Sequence, residues 1–321
     1  MTTLDEQVLH AINTNNSFVI VSHIRPDGDA IGSALGLAHS LRLAGKTAEV
    51  VLEDGVAEKY MSLTGADSVG RKIESDYDYL IVVDCSDAMR TGNALRGATP
   101  DLVIDHHKTN LNFGKLNLVE SETEATALVL AQHMPLWGLT IDKEAASALL
   151  TGILADTIGF RTSNVTAEAL RVSAELMDKG ANLHQVYYQT LVTRSIAETR
   201  YWAQGLGKMR FEEGLLWSEL TLEDRARAGY FENDDADLVN TLSSISDVLI
   251  CVLFVQQNDE RVKISWRSVA GIDVSVLAFQ FGGGGHAAAA GADVSGSMDA
   301  VRELVLNRTK AYLNEKRPTL I

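Results

Sequence analysis

The chain alternates short apolar runs with longer stretches of helical period. "SFVIVSH" (17–23), "TAEVVLED" (47–54), "YDYLIVVD" (77–84) and "DLVIDHH" (101–107) each carry a brief apolar core between polar residues. Such runs predict strands buried on both faces. A helix is expected from about Ala30 to Ala44, and "EATALVLAQHM" and "IDKEAASALLTGILAD" also read as helices. Strands separated by helical stretches predict βαβ units and a parallel sheet, hence an α/β fold. A helical stretch from roughly Leu183 to Gly205 reads as a connector. Beyond it "GLLWSELT", "SDVLICVLFVQQ" and "RVKISWRS" are strand-like, as is "VSVLAFQF" before "GGGGHAAAAG". The expected division is therefore 1–182, a helical linker 183–205, and a smaller α/β domain 206–321.

Composition narrows the class. A chain of 321 residues is long for one domain and comfortable for two. Hydrophobic residues make up 46% and charged residues 22%, as in soluble globular proteins. No apolar run approaches the roughly 18 residues of a transmembrane helix. The polar, acidic start "MTTLDEQVLHAINTNNS" does not fit a signal peptide. Cys85 and Cys251 both sit in apolar strand-like runs, which predicts free thiols and a reducing cytoplasm. The net charge of −15 opposes a broad grip on a nucleic-acid backbone. It leaves room for a small phosphate ligand, and an acidic cleft welcomes cations.

Ligands of parallel sheets gather beyond the carboxyl ends of the strands. His23, Asp84 and Asp105–His107 stand at those ends. The loop "SHIRPDGDAIGS" adds Asp27 and Asp29, with Pro26 and Gly28 turning the chain so that side chains converge. "TGILADTIGFR" places Asp156 just past an apolar helix. Polar turns and helix caps account for any one of these segments. They account poorly for four segments delivering acids or imidazoles to one sheet edge. Crowded carboxylates repel unless cations lie between them. Oxygen ligands with a minority of imidazoles suit Mn²⁺ or Mg²⁺. Two such ions about 3.5–4 Å apart can activate water for phosphoryl transfer. His10, His39, His133 and His184 lie in helical patterns without acidic company and read as structural.

"FGGGGHAAAAG" is a second candidate site. Consecutive glycines after a strand let backbone N–H groups close around an anion. The alanines predict a helix start with His286 at its N-terminus, where the dipole favours negative charge. Upstream, "KISWRS" ends a strand with Arg267 and Ser268, both suited to phosphate.

In order along the chain, "HIRPDGDAIGS", "VVDCSD", "DHH" and "ADTIGFR" resemble the four motifs of the DHH phosphoesterase superfamily, which includes RecJ-type exonucleases and manganese pyrophosphatases. The "GGGGH…AAG" loop after "RS" resembles the C-terminal domain that accompanies DHH domains in exonuclease-type members. The layout is similar to NrnA-like nanoRNases and 3′-phosphoadenosine 5′-phosphate (pAp) phosphatases. The resemblance implies two Mn²⁺ ions, with Mg²⁺ or Co²⁺ as substitutes. It implies that His23, Asp27 and Asp84 hold one ion, and that Asp29, Asp84, His106 and Asp156 hold the other. In that reading Asp105 orients His106, His107 faces the scissile phosphate, and Asp87 and Arg90 form a supporting ion pair. Arg267, Ser268, Gly283, Gly284, Gly285 and His286, with Arg161, would bind the substrate's phosphate. The expected activity is hydrolysis of short oligoribonucleotides, linear dinucleotides (pApA, pGpG) or pAp to mononucleotides by two-metal water attack. Metals in one domain and a phosphate pocket in the other would act as a ruler favouring short substrates. Cyclic-dinucleotide or pyrophosphate hydrolysis are alternatives on the same site, and a non-catalytic nucleotide sensor lies outside enzymes. Long duplexes and membranes are not expected partners; with no sensory domain before residue 1, neither is a membrane-bound, signal-regulated role. A homodimer is expected only as a base rate among soluble enzymes.

Overall fold

The first strand shows why its apolar run is unbroken. In β1 (Ser17–Val21), Phe18 and Ile20 enter one core while Val19 and Val21 enter another. A strand covered on both faces has no solvent face to keep polar. The same holds for β3 (Tyr79–Val83) and β4 (Leu102–Asp105), whereas the edge strand β2 (Thr47–Val51) is buried only at Val50 and Val51. A fifth strand, β5 (Leu116–Val119), was not anticipated; it is a half-buried edge with only Leu118 fully covered, so its apolar signal is weak. The sheet runs β2–β1–β3–β4–β5, all parallel. Strand order reverses between β1 and β3, the place where open α/β sheets bind ligands.

This computed structural model describes residues 3–269 and 271–316. The chain separates into two compact units between Thr193 and Arg194. The first unit opens with α1 (Thr3–Thr14), also unanticipated. α2 (Gly28–Leu43) starts two residues before the expected Ala30, because Asp27 caps it. α3 (Thr126–His133), α4 (Lys143–Asp156), α5 (Ala167–Asp178) and α6 (Leu183–Tyr187) follow. Asp156 is the last residue of α4 rather than just past it. The α2–α4 pair is close because α2 carries glycine every fourth residue. A Cβ at Gly28 would lie 2.5 Å from that of Ala155, and one at Gly32 would overlap the Ala148 carbonyl. Across the sheet, the smaller core is covered by loops and 3-10 turns carrying Ala94, Leu95 and Phe113.

The expected linker 183–205 is not one helix. α6 and a π-turn (Tyr188–Val192) end the first unit, and α7 (Ile196–Gly207) opens the second behind a Ser195–Glu198 capping box. The second unit contains β6 (Arg210–Glu212), β7 (Leu215–Leu220), α8 (Leu222–Ala228), α9 (Leu238–Leu242), β8 (Ile250–Asn258) and β9 (Arg261–Ser268). It ends with α10 (Ser275–Gln280), β10 (Gly284–His286), β11 (Ala289–Ser295) and α11 (Met298–Lys316). The mixed sheet runs β10–β11–β9–β8–β7–β6, with only β7 and β8 parallel. In β8, Ile250, Val252 and Phe254 face one core, while Cys251, Leu253 and Val255 face the other.

Two expectations fail here. "VSVLAFQF" forms α10, not a strand: Leu277 and Ala278 are buried, while Phe279 between that pair and the glycines is 79% exposed, a helical pattern. Of the alanines after His286, Ala287 and Ala288 make the hairpin turn and Ala289 and Ala290 open β11, not a helix. β11 pairs with β9 along its whole length, from Ala289↔Arg267 to Ser295↔Arg261, and that pairing outweighs alanine's helix preference. No helix N-terminus therefore stands at His286. Among the described residues no helix is long and apolar enough to cross a membrane.

Two helical histidines do have acidic company. His39 Nε2 lies 2.9 Å from Asp142. His133 Nδ1 lies 2.7 Å from buried Asp5 and its Nε2 lies 2.9 Å from Glu120, while Trp137 Nε1 donates to Asp5 at 3.0 Å. Both ring nitrogens of His133 meet carboxylates, so the ring holds both protons, and α1 is tied to the sheet by a charged bridge. Glu120 raises the imidazole above its ordinary value against burial, with Asp5 adding to the rise, and His133 in turn holds Glu120 below the usual carboxylate range. A raised imidazole stabilises fully below its unfolded value, about 6.5, and loses that contribution as pH climbs through the folded value. His133→Gln should cost about 2 kcal/mol at pH 6. Urea denaturation should show this gap narrowing toward pH 9; a pH-independent gap would mean the ring is neutral.

Candidate active site

Asp27 ends the turn after β1 and caps α2, its Oδ1 accepting the N–H groups of Asp29 and Ala30 at 3.0 and 3.1 Å. It stays 57% exposed at the rim, 4.0 Å from His23 Nε2. Asp29 is fully buried and caps a different helix: it accepts the N–H groups of Thr126 at 2.6 Å and Ala127 at 2.9 Å at the start of α3. Gly152 on α4 makes room for it, since a Cβ there would lie 2.5 Å from Asp29 Oδ1. Asp84 follows β3 in a left-handed conformation, φ +52°, which costs free energy outside glycine. Its buried carboxylate accepts the Thr126 hydroxyl at 3.0 Å. It lies 3.5 Å from His23 Nε2 and 3.7 Å from both His106 Nε2 and His107 Nδ1. Asp156, at the end of α4, places Oδ2 3.0 Å from His106 Nε2.

Donor atoms of His23, Asp27 and Asp84 lie within 4.8 Å of one another, as do those of Asp29, Asp84 and His106, so Asp84 belongs to both groups. Hydrogen bonding sets the imidazoles. His23 Nδ1 donates to the Ile24 carbonyl at 2.9 Å, and His106 Nδ1 donates to the Thr123 carbonyl at 3.1 Å. A carbonyl only accepts, so in each neutral ring Nε2 is the lone-pair nitrogen. Both lone pairs then face carboxylates, a repulsive arrangement that a cation would reverse. Ring N–H groups spent on backbone carbonyls are what metal-ligating histidines use to hold their orientation.

The titration pattern agrees. Burial, then Asp84 and Asp156, pushes Asp29 well above the carboxylate range, and burial also pushes Asp156 up against the pull of His106. Burial alone would raise Asp84, yet His23, His107 and His106 draw it down. Burial opposes protonation of His23 and His106, but Asp84 and Asp156 respectively override it, and both imidazoles end above their ordinary value. Acids raised by burial and like charge, and imidazoles raised by those acids, mark a cluster that favours added positive charge. Four carboxylates and two oriented imidazoles thus fit hard or borderline divalent ions.

Asp105 does not hold the His106 ring as expected. Its Oδ1 accepts from His107 Nδ1 at 2.7 Å and its Oδ2 accepts from Asn110 Nδ2 at 2.6 Å. Asn110 also donates to the Cys85 carbonyl at 3.1 Å. The chain of contacts runs Asn110, Asp105, His107, and it raises His107 against burial. Asn110, Thr123 and Thr126 carry no acid or imidazole and gave no chemical signal; only "DHH" followed three residues later by an asparagine hinted at a turn. Asp87 makes no ion pair with Arg90 among the described residues. Its carboxylate caps the 3-10 turn Ala88–Thr91, accepting the N–H groups of Met89 and Arg90. Arg161 is exposed on the turn after α4, where its N–H donates to the Thr157 carbonyl.

The remaining candidates lie in the second unit. Arg267 Nε donates to Asn240 Oδ1 at 2.9 Å and its Nη1 to the Trp266 carbonyl at 3.0 Å. The Ser268 hydroxyl donates to the Ile272 carbonyl at 2.6 Å and lies 3.3 Å from that of Ala287, so it fastens the strand end to the hairpin loop. Gly283 is required by packing, since a Cβ would overlap the Gly291 carbonyl; a Cβ at Gly285 (φ +139°) would lie 2.5 Å from the Ala289 carbonyl. Gly284 faces open space and His286 is exposed.

A cluster of acids and oriented imidazoles at the switch point of a parallel sheet is the apparatus of a hydrolase. The DHH family, N-terminal domain, matches residues 17–153, and the DHHA1 domain matches residues 226–315. The bifunctional oligoribonuclease and PAP phosphatase NrnA of Thermus thermophilus is 34% identical over 309 residues, covering 96% of this chain and 93% of that protein. The crystal structure of an exopolyphosphatase-related protein from Bacteroides fragilis is similar with a TM-score of 0.87 at 25% identity, over 100% of this chain and 99% of that one. RecJ of Thermus thermophilus in complex with Mn²⁺ shares the fold, with a TM-score of 0.57 at 14% identity over 98% of this chain and 55% of that one. The chain belongs to the DHH family, with a DHHA1 domain following the DHH domain.

Asn110→Ala should leave the fold intact and lower turnover about 10–100-fold, the usual cost of losing an outer hydrogen bond in such a site; unchanged turnover would remove Asn110 from the site. Gly283→Ala should lose about 1–3 kcal/mol of stability, whereas Gly284→Ala should unfold at nearly the wild-type temperature in a thermal melt.

Proposed function

We propose that the chain is a divalent-cation-dependent phosphoesterase, with Mn²⁺ as the expected ion, that hydrolyses short oligoribonucleotides, linear dinucleotides or pAp to mononucleotides. The observation that carries this reading is the pair of carbonyl-anchored imidazoles, His23 and His106, whose Nε2 atoms face the four carboxylates grouped around Asp84. His23, Asp27 and Asp84 would hold one ion, and Asp29, Asp84, His106 and Asp156 the other. Bound divalent ions supply a lowered water pKa and neutralise charge on the phosphoryl oxygens.

The chain's own residues do the rest. His107, held by Asp105, donates through its remaining ring nitrogen to an oxygen of the scissile phosphate. Asp84 stays ionised between the imidazoles, which keeps a negative anchor at the centre of the site. Arg267, with Nη2 not engaged by any described protein group, and the open space beside Gly284 suit a terminal phosphate. Ser268 and Gly283 shape that pocket. With a net charge of −15, the chain is built for short anionic substrates rather than long duplexes. Free, buried Cys85 and Cys251 suit a reducing cytoplasm.

The test is product analysis with purified protein and Mn²⁺, offering pAp, 5′-pApA, a five-nucleotide RNA and pyrophosphate in parallel. AMP from pAp and mononucleotides from the RNAs are expected, with loss of turnover on chelation. Asp84→Ala should abolish activity; substantial Mn²⁺-dependent turnover in that variant would sink the assignment. Cleavage of pyrophosphate alone would overturn the substrate reading, and no cleavage of anything would point to a nucleotide sensor.

A further inference from the structure

Among the described residues, five arginines are buried or half-buried: Arg90, Arg194, Arg225, Arg267 and Arg302. Four have side-chain partners. Arg194 meets Asp237, Arg225 meets Asn233 and the Gln256 carbonyl, Arg267 meets Asn240, and Arg302 meets Glu219 and Asp299. The Arg90 guanidinium alone makes no hydrogen bond or ion pair with any described protein group. A partly desolvated cation without a partner is costly, and in a chain of net charge −15 acids are not scarce. The nearest in sequence, Asp87, spends its carboxylate on the backbone of the same turn.

That turn is held against the site. The Arg90 carbonyl accepts the Ile24 N–H at 2.7 Å, directly after His23. Gly92, with φ +63°, packs so closely that a Cβ would lie 2.7 Å from Ile24 Cγ2 and overlap the Glu53 carboxylate. Asn93 donates to Glu53 through both its backbone N–H and its side chain. The charge of Arg90 acts on His23 and on Cys85, opposing the rise in each. The turn that carries this cation is therefore anchored beside His23, and its charge is felt there.

We propose that Arg90 binds the phosphate of the substrate, its planar guanidinium donating to non-bridging oxygens of the phosphoryl group held at the His23–Asp84 end of the site. This rests on the phosphoesterase reading above. Five donors in a rigid fork match a phosphate, and a guanidinium left unpaired in the free protein pays no protein contact to engage one. Arg90 thus differs from the metal-binding residues: it recognises the anion itself.

The test compares wild type, Arg90→Ala, Arg90→Gln and Arg90→Lys, all full-length and Mn²⁺-loaded. Readouts are kcat and KM on pAp and pApA, inhibition by inorganic phosphate, Mn²⁺ affinity by calorimetry, and melting temperature. Arg90→Ala and Arg90→Gln should lose about 100-fold in kcat/KM and bind phosphate at least about tenfold more weakly. Mn²⁺ affinity and melting temperature should stay unchanged, and lysine should restore only part of the loss. Phosphate inhibition and kcat/KM within about twofold of wild type, or Mn²⁺ affinity falling in step with activity, would overturn the proposal. If wild type hydrolyses none of the substrates, it is the phosphoesterase reading that fails. Calorimetric titration of inorganic phosphate into wild type and Arg90→Ala then decides the role of Arg90 independently, equal affinities overturning it.

Discussion

The site depends on how near α2 and α4 can come. Gly28, Gly32 and Gly36 present bare backbone to α4, and at Gly32 even a methyl group would overlap the Ala148 carbonyl. Helices that meet backbone to backbone cannot slide or tilt as helices meeting through long side chains can. Asp29 rides the first turn of α2 and Asp156 the last turn of α4, so their separation is set by that contact. Gly152 completes it by leaving space for the Asp29 carboxylate itself. The acids are thus placed by the absence of side chains beside them.

Much of this was legible beforehand, for a physical reason. Strands buried on both faces must be apolar throughout, so the first polar residue after each run marks a strand end and becomes conspicuous. His23, Asp84 and Asp105 stood out in that way. β5 and α1 did not, because a half-exposed edge strand and a polar first helix lack a sharp boundary. The alanines of β11 misled for the opposite reason: their local preference is strong, but seven paired residues along β9 decide the outcome. Contacts that depend on three-dimensional approach left no trace in the pattern. Nothing in the order of "DHHKTN" says that Asp105 turns to His107 and Asn110 while a carbonyl from Thr123 takes His106.

The second unit makes a parallel point about glycine. The run at 282–285 suggested freedom to wrap an anion. At Gly283 and Gly285 the structure shows the reverse: these positions are glycine because the returning strand leaves no space, and the hairpin they permit is tightly paired. What remains open lies at Gly282 and Gly284. A loop read as pliant is a paired rim in which Gly283 and Gly285 are packed and Gly282 and Gly284 are open.

The aspartates at the sheet edge each have a second occupation. Asp27 terminates α2 and Asp29 terminates α3, while Asp84 takes the hydroxyl of Thr126. A carboxylate employed in this way cannot be lost one duty at a time. Neutralising Asp29 to make an inert enzyme also loosens the start of α3, so an inactive protein made there is a damaged scaffold as well. Asp156 is different: it is 22% exposed, and its one described side-chain partner is His106. For trapping a bound substrate in an otherwise native fold, it is the aspartate to change, and the architecture leaves few others.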